Sequence, residues 1–294
     1  MTYQLIEARH GQFLVNENDT YVGRSLLTYG EWSEAEIWLF GQILRPGDVV
    51  IEAGANIGSH TVFMSRAVGE TGSVWAFEAA RHTHQLLCAN LALNECFNAH
   101  ALQKAVGRGV QVTRFPKLDP RATLNFGAAS MRNIGQYTND GTEQVEMICL
   151  DSLGLSRVDF IKADIEGFEL EMLKGSCSIL ATQRPIIYLE IDFANDRPTG
   201  NRDELVEFLE ASGYAAFYFI TPMFNPDNYK GVTQNIFHAL SIDLICVPQD
   251  RYTMTGLTRA QIGDAAIKAE PLKSTLSYAT LPWYGARLSR LSQP

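Results

Sequence analysis

The sequence predicts a doubly wound α/β fold, an open and mostly parallel sheet with helices on both faces. Three observations carry this. Val49-Val50-Ile51-Glu52 reads as a buried strand closed by an acid; a small-residue turn with Gly54 and Gly58 follows, then an apolar helix with Val62, Phe63 and Met64. Val74-Trp75-Ala76-Phe77-Glu78 repeats the pattern of a strand ending in an acid. Val158 to Asp164 and Pro185 to Ile191 add two more apolar runs, with Asp164 and Glu190 at their ends. Sheets of this kind bind ligands beyond the carboxyl ends of the strands, where the strand order reverses.

Taken in order, residues Tyr3 to Val22 alternate irregularly, with Gly11 and the turn Asn16-Glu17-Asn18-Asp19 between apolar groups. They predict a β-hairpin, an N-terminal β arm over residues 1–30. Ser33, with Glu36 three positions on, has the capping-box pattern, and Ile37, Trp38, Phe40 and Ile43 give that helix its apolar face. Glu31 and Glu34 read as solvated acids at the helix start. Pro46-Gly47 ends the helix and leads into the first strand. A helix is expected from Arg81 to Leu93, and a third strand over Ala101 to Val106. Residues 107–147 break the βα rhythm: Val110 to Phe115 and Gln144 to Ile148 alternate like strands of an antiparallel insertion, and the small polar loop between them reads as a lid. After the fourth strand, a helix with Leu170, Met172 and Leu173 ends at Gly175, a C′ glycine. A helix over Arg202 to Ala211 and strands over Tyr214 to Ile220 and Leu240 to Val247 complete a main domain of residues 31–250. Residues 251–294, with Trp283, form a weakly patterned extension that docks on the core or serves in oligomerisation, with a homodimer as the assembly expected.

Composition narrows the function. With 294 residues, 46% hydrophobic and 19% charged, the chain has the make-up of a globular protein with a sizeable core. Its formal charge is −9, from 33 acids against 24 bases, and it has no Lys/Arg run, which disfavours a nucleic-acid partner. The five cysteines have no C-x-x-C spacing and read as free thiols of a reducing compartment, so a cytoplasmic location is expected. No apolar run is long enough for a membrane span, and the first residues lack the pattern of a signal peptide. His82 and His84 sit two apart on a helix and point to different sides, which argues against a joint metal site.

The glycine turn is specific. Glu52-Ala53-Gly54-Ala55-Asn56-Ile57-Gly58 is not the dinucleotide fingerprint G-x-G-x-x-G, and an acid at the strand end repels a diphosphate. It suits a ligand carrying an ammonium and a sulfonium, namely S-adenosylmethionine (SAM). Gly54 and Gly58 allow positive φ and close approach of a ligand to the backbone. Glu78, twenty positions after Gly58, is placed to accept both ribose hydroxyls of an adenosine.

Ile51 to Gly58, then Ala76-Phe77-Glu78, then Asn90-Leu91-Ala92-Leu93-Asn94, then Ile161-Lys162-Ala163-Asp164-Ile165-Glu166-Gly167 resembles the FkbM family of SAM-dependent methyltransferases, from about Tyr29 to about Asp192. Two positions depart from the family's pattern: Glu52-Ala53 stands for Asp-Val, and Ala79 for proline. The resemblance implies a Rossmann-like class I methyltransferase fold and a SAM-dependent O-methyltransferase. It also implies an acceptor hydroxyl on a sugar, a glycolipid or a natural-product scaffold. Cofactor contacts are expected from Glu52, Gly54, Ala55, Asn56, Gly58, His60, Glu78 and Ala79. Ala105, facing the adenine, and Ser130, in an Asn-x-Gly-x-x-Ser stretch like the family's, complete that set. Lys162, Asp164, Glu166 and Glu190 are the expected catalytic group, because the acceptor pocket of such a sheet lies above the tips of strands one, four and five.

Within it, Asp164 orients or deprotonates the acceptor hydroxyl, with Glu166 or Glu190 in support, or else holds the methionine amine. His60 and His238 are secondary base candidates. A metal-free site is expected ahead of a cation held by the three acids. Two other classes stay open: a non-catalytic scaffold that keeps the fold, and an NAD-dependent oxidoreductase, which the absent G-x-G-x-x-G disfavours.

Overall fold

A computed structural model describes residues 2–132, 135, 141–191, 202–265 and 286–291. The chain opens with an antiparallel hairpin of β1 (Tyr3–Ala8) and β2 (Gly11–Asn16), followed by α1 (Val22–Tyr29) and α2 (Glu34–Ile43). Next come β3 (Val49–Ala53), α3 (Ser59–Val68), β4 (Ser73–Phe77), α4 (Arg81–Leu93) and β5 (Ala99–Leu102). Three strands interrupt the alternation: β6 (Ala105–Val106), β7 (Gln111–Pro116) and β8 (Thr142–Ile148). The pattern resumes with β9 (Phe160–Ala163), α5 (Glu169–Lys174), α6 (Cys177–Thr182), β10 (Ile186–Glu190) and α7 (Arg202–Ala211). The last strands are β11 (Tyr214–Pro222), β12 (Leu240–Pro248), β13 (Tyr252–Thr255) and β14 (Arg287–Arg290).

The seven-stranded sheet has the order β11-β12-β10-β9-β3-β4-β5. Strands β10, β9, β3, β4 and β5 run parallel, and β12 is antiparallel to both its neighbours. This is the doubly wound, Rossmann-like class I methyltransferase arrangement. The order reverses between β3 and β9, so their tips open a crevice. Alternation along the strands sorts the two faces. Ile51, Ile161 and Ile187 pack under α5, α6 and α7, whereas Val50, Phe160 and Tyr188 pack under α2 and α3. Continuing the second face by two residues brings Glu52, Lys162 and Glu190 to the tips. Glu52 lies beside Lys162 in register, and Glu190 beside Asp243.

The structure corrects several expectations. The hairpin turns at Arg9-His10, not at Asn16–Asp19. The latter segment instead starts α1, where the Asp19 carboxylate accepts from the Tyr21 and Gly23 backbone N–H groups at 3.1 and 2.7 Å. The run Ala101 to Val106 is divided: a tight turn, Lys104 N to Leu102 O at 2.9 Å, ends β5 and sends β6 into a separate sheet with β8 and β7. Ser33 precedes α2, yet its hydroxyl donates to the Glu36 carboxylate and not to a backbone group. Glu31 is buried, not solvated. It accepts from Arg9 Nε at 2.7 Å, Asn225 Nδ2 at 2.8 Å and Tyr229 N at 2.9 Å, and so ties the arm to the loop after β11. Gly175 has φ −88°, so no left-handed cap exists there; a Cβ would lie 2.2 Å from the Gly107 carbonyl oxygen. Trp283 and most of residues 251–294 lie outside the described residues, as do 133–134 and 136–140 of the insertion. No helix among the described residues is long and apolar enough to cross a membrane.

Gly54 joins the two strands at the switch point. Its φ is +81°, and a Cβ there would sit 1.8 Å from the Asp164 carbonyl oxygen. Gly54→Ala is therefore expected to cost at least about 2 kcal/mol of stability, from positive-φ strain plus the displaced β9 tip. Urea unfolding measures it; an unchanged midpoint would contradict the close packing of the two tips.

Candidate active site

The cleft above the strand tips has an empty volume of about 1110 Å³, mouth included. Its floor is built from the acid-ended strands. Lys162, 2% exposed, projects from β9 between Glu52 of β3 and Glu36 of α2, and its Nζ lies 3.2 Å from Asp164 Oδ2. Burial disfavours the ammonium, but Asp164, Glu52 and Glu36 overcome this and hold Lys162 above the usual lysine range. Burial likewise pushes the Glu52 carboxyl up to about 7, against the pull of Lys162 and of the Thr61 hydroxyl, which donates to it at 2.5 Å. Glu36 rises to about 7 for the same first reason, with Lys162 and Ser33 opposing. Burial alone would raise Asp164 too; the Lys162 charge outweighs it, and Asp164 stays below the usual carboxylate range. Glu190 is driven the other way, by burial and then by the charges of Asp164 and Glu166. Glu190 is thereby pushed toward its neutral form, and Asp164 beside it toward its charged form.

The other half of the cleft is the glycine turn and β4. Gly54 N and Ala55 N both donate to Phe77 O at 2.9 Å, which bolts the turn to the neighbouring strand. Glu78 accepts from Asn56 N at 3.0 Å and from Ala80 N at 2.8 Å. Burial raises its carboxyl to about 7 although those backbone bonds favour the charged form. Ala79 and Ala105 line this half, as expected, but Ala105 reaches it from β6 and not from a third strand of the main sheet.

Two segments roof the cleft. Leu124 N donates to Asn18 O at 3.2 Å and Thr20 N to Leu124 O at 3.1 Å, which clips the insertion to the N-terminal arm. Asn125 Oδ1 accepts from Gly127 N and Ala128 N, and the turn so formed rests against the Asn56 side chain. Ser130, 2% exposed, lines the cleft, yet its hydroxyl donates to the Glu166 carbonyl at 2.8 Å. Its visible part is to tie the insertion to the loop after β9.

The structure thus gathers around one cleft all the expected site residues but Gly58 and the secondary candidate His238. Gly58 is off the wall: it starts α3 with φ +90°, and a Cβ would meet Leu87 at 2.8 Å, so its role is packing of α3 on α4. Asn56 also has positive φ, +51°, which an asparagine tolerates better than most residues. His238 does not line the cleft. Glu166 does, and the turn around it is held by Glu169, which accepts from Ile165 N and Gly167 N at 3.1 and 3.2 Å. Tyr21, Trp32 and Met223 of the wall, and Glu36 beneath it, were not anticipated; a buried Glu36 gives no local signal, because it occupies an ordinary helix-start position. Asp164, Glu166 and Glu190 each offer an oxygen within 4.8 Å of the others, close enough to share a cation. The Lys162 ammonium already supplies positive charge to that corner.

A family model for the FkbM methyltransferase domain matches residues 52–216. The chain belongs to this family. It is 28% identical to methyltransferase sdnD of Sordaria araneosa over 193 residues, which cover 56% of this chain and 73% of that protein. It is 28% identical to methyltransferase 1 of Beauveria bassiana (strain ARSEF 2860) over 144 residues, 43% of this chain and 57% of that one. Among solved structures, the FkbM methyltransferase of Methylobacillus flagellatus KT aligns with TM-score 0.42 at 17% identity, over 77% of this chain and 55% of that one. A SAM-dependent methyltransferase of Aquifex aeolicus aligns with TM-score 0.39 at 12% identity, over 76% and 93%.

Replacing Lys162 by Met leaves Glu36, Glu52 and Asp164 facing one another. Loss of one partner from such a buried cluster is expected to cost about 3–5 kcal/mol at pH 8, where the acids must ionise. At pH 5, below the folded-state value of about 7 for Glu52 and Glu36, those two stay protonated and the loss is far smaller. Denaturant midpoints at the two pH values test this; an equal loss at both would contradict the electrostatic account.

Proposed function

We propose that the protein transfers a methyl group from SAM to a hydroxyl of a sugar, glycolipid or natural-product scaffold. Family membership supports methyl transfer. The observation that carries the cofactor reading is the sign of the cleft: its wall bears Glu52, Glu78, Asp164, Glu166 and Glu190 against Lys104 and Lys162, a balance that favours a cation and disfavours a diphosphate. The donor set fits the cofactor. Glu78 offers carboxylate oxygens to a ribose from the tip of β4, and the Gly54 turn leaves room for the chain beyond it. Bound there, SAM supplies a sulfonium methyl open to displacement by an oxygen nucleophile.

The protein's own residues would then position the acceptor. Asp164, ionised and half-exposed to the cleft, accepts a hydrogen bond from the acceptor hydroxyl and orients its lone pair. Held below the usual range by Lys162, it is a weak base at the start. Transfer to Asp164 becomes favourable as the oxygen gains positive charge. Glu190 and Glu166 shape the same corner. Tyr21, Trp32 and Met223 give the wall an apolar surface that suits a ring-bearing acceptor. The acidic balance of chain and cleft speaks against RNA or DNA as acceptor.

Calorimetric titration with SAM, S-adenosylhomocysteine and NAD⁺ tests the cofactor. Wild type is expected to bind the two adenosyl ligands and not NAD⁺, and Glu78→Ala to weaken them by roughly tenfold to a hundredfold, the loss of charged hydrogen bonds. Labelled-methyl transfer to a panel of glycosides and hydroxylated polycycles then tests the acceptor class. No binding of SAM at millimolar ligand, or NAD⁺ binding in its place, would overturn the proposal. With an acceptor in hand, Asp164→Asn is expected to lower kcat by about 10²-fold or more; full turnover would remove Asp164 from the chemistry.

A further inference from the structure

Phe237, on the loop between β11 and β12, touches two aromatic side chains of the cleft wall that come from elsewhere in the chain. Its ring is stacked on Tyr21, centroids 5.5 Å apart at 28°, and stands edge-on to Trp32, 6.3 Å away at 82°. Tyr21 and Trp32 line the cleft, and Phe237 does not. The loop that carries Phe237 is fixed twice. The buried Tyr29 donates its hydroxyl proton to Gln234 O and accepts from Ile236 N, both at 2.8 Å, and its ring meets Phe237 edge-on at 6.0 Å. Asn235 Oδ1 accepts from the Phe237 and His238 backbone N–H groups at 3.1 and 3.0 Å. His238 has φ +48°, in the left-handed region, where a residue other than glycine stays only when its surroundings impose it. The turn sustains that strain, and its result is the placement of the Phe237 ring against Tyr21 and Trp32.

The wall so built indicates what it receives. Tyr21 is 36% exposed, a large ring left open at the mouth, and Met223 continues the apolar surface. The same cleft carries Asp164, Glu166 and Glu190, whose oxygens accept from hydroxyl groups. The negative face of an aromatic ring attracts C–H groups, and its area favours apolar contact. A ligand that satisfies both kinds of surface has hydroxyls on its edge and a rigid C–H face, which describes a saturated ring with several hydroxyls. An open chain with the same hydroxyls has no fixed face and loses more freedom on binding. We infer that Tyr21 and Trp32 form a stacking platform for the ring of the methyl acceptor, and that Phe237 is the positioning residue that holds this platform. The inference rests on the methyl-transfer reading above and deepens it. It narrows the acceptor to a hydroxylated saturated ring and assigns the preference to a residue behind the wall.

The test is labelled-methyl transfer from SAM to methyl pyranosides, decalin diols and the open-chain polyol sorbitol, with calorimetry of S-adenosylhomocysteine as the control. Wild type is expected to use at least one ring class with kcat/KM about tenfold or more above sorbitol, and the better ring arm tells a sugar from a carbocycle. Phe237→Ala is expected to raise KM for that ring about threefold to tenfold, the worth of one aromatic contact. Its kcat and its S-adenosylhomocysteine affinity are expected to stay within about twofold. Phe237→Tyr keeps the ring and is expected to restore KM. Tyr29→Phe removes the two hydrogen bonds of the clip, keeps its own ring, and is expected to raise KM in the same direction; it carries the test where Phe237→Ala does not fold. An unchanged KM in these variants would overturn the inference, and so would sorbitol used as well as the rings. A parallel loss of kcat and of S-adenosylhomocysteine affinity would also overturn it, since Phe237 would then act through the fold. Wild type that binds S-adenosylhomocysteine but methylates neither ring class would overturn the acceptor class proposed above and the inference with it. Wild type that binds no adenosyl ligand would overturn the SAM reading itself.

Discussion

A single buried ammonium sets the terms for this molecule. Lys162 stands on a central strand where an apolar residue would ordinarily close the core, and the groups around it make sense only with its charge present. Glu52, Glu36 and Asp164 converge from β3, α2 and the end of β9, and each would be expensive to ionise in that position alone. Their convergence leaves the strand tips polar and the cleft above them negative on balance. The same charge separates two neighbouring carboxyl groups, drawing Asp164 below the usual carboxylate range while burial and the Asp164 charge push Glu190 well above it. Such division of two acids by environment is how one site carries both a hydrogen-bond acceptor and a donor.

Much of this was legible in the sequence, for a simple physical reason. Strands buried on both faces read as continuous apolar runs, and an acid at the end of such a run stands out. Glu52, Glu78, Asp164 and Glu190 were located in that way. Helices with clear periods, Arg81–Leu93 and Arg202–Ala211, agree with the structure at both ends. What stayed hidden depends on distant partners. Glu31 looks like any acid at a helix start until Asn225, 194 positions away, and Arg9 close over it. Glu36 is likewise indistinguishable from a solvated cap residue. Helices α1 and α6, eight and six residues long, are too short to show a period. The break between β5 and β6 comes from one turn at Lys104 inside a run that alternates without interruption. Gly54 was recognised for its positive φ, but the group that approaches its α-carbon is the Asp164 carbonyl, which no spacing rule contains.

The cleft joins a rigid floor to a roof made of loops. The floor of the cleft is made from strand tips and a turn bolted to β4, all on rigid elements. The roof is assembled from two loops, residues 16–22 and 120–131, held to one another by backbone pairing. Binding residues on loops over a rigid scaffold are free to differ between relatives without loss of the sheet. Tyr21 and Met223 therefore lie on the loops at the rim of the cleft, and Glu78 and Lys162 on its rigid floor.

The most direct measurement is a crystal structure with S-adenosylhomocysteine soaked to saturation. The account predicts the ribose hydroxyls within hydrogen-bond distance of Glu78, with the amino-acid end in the corner formed by Glu52, His60 and Lys162. An adenosyl ligand bound elsewhere, or one lying reversed with its amino-acid end at Glu78, would contradict it.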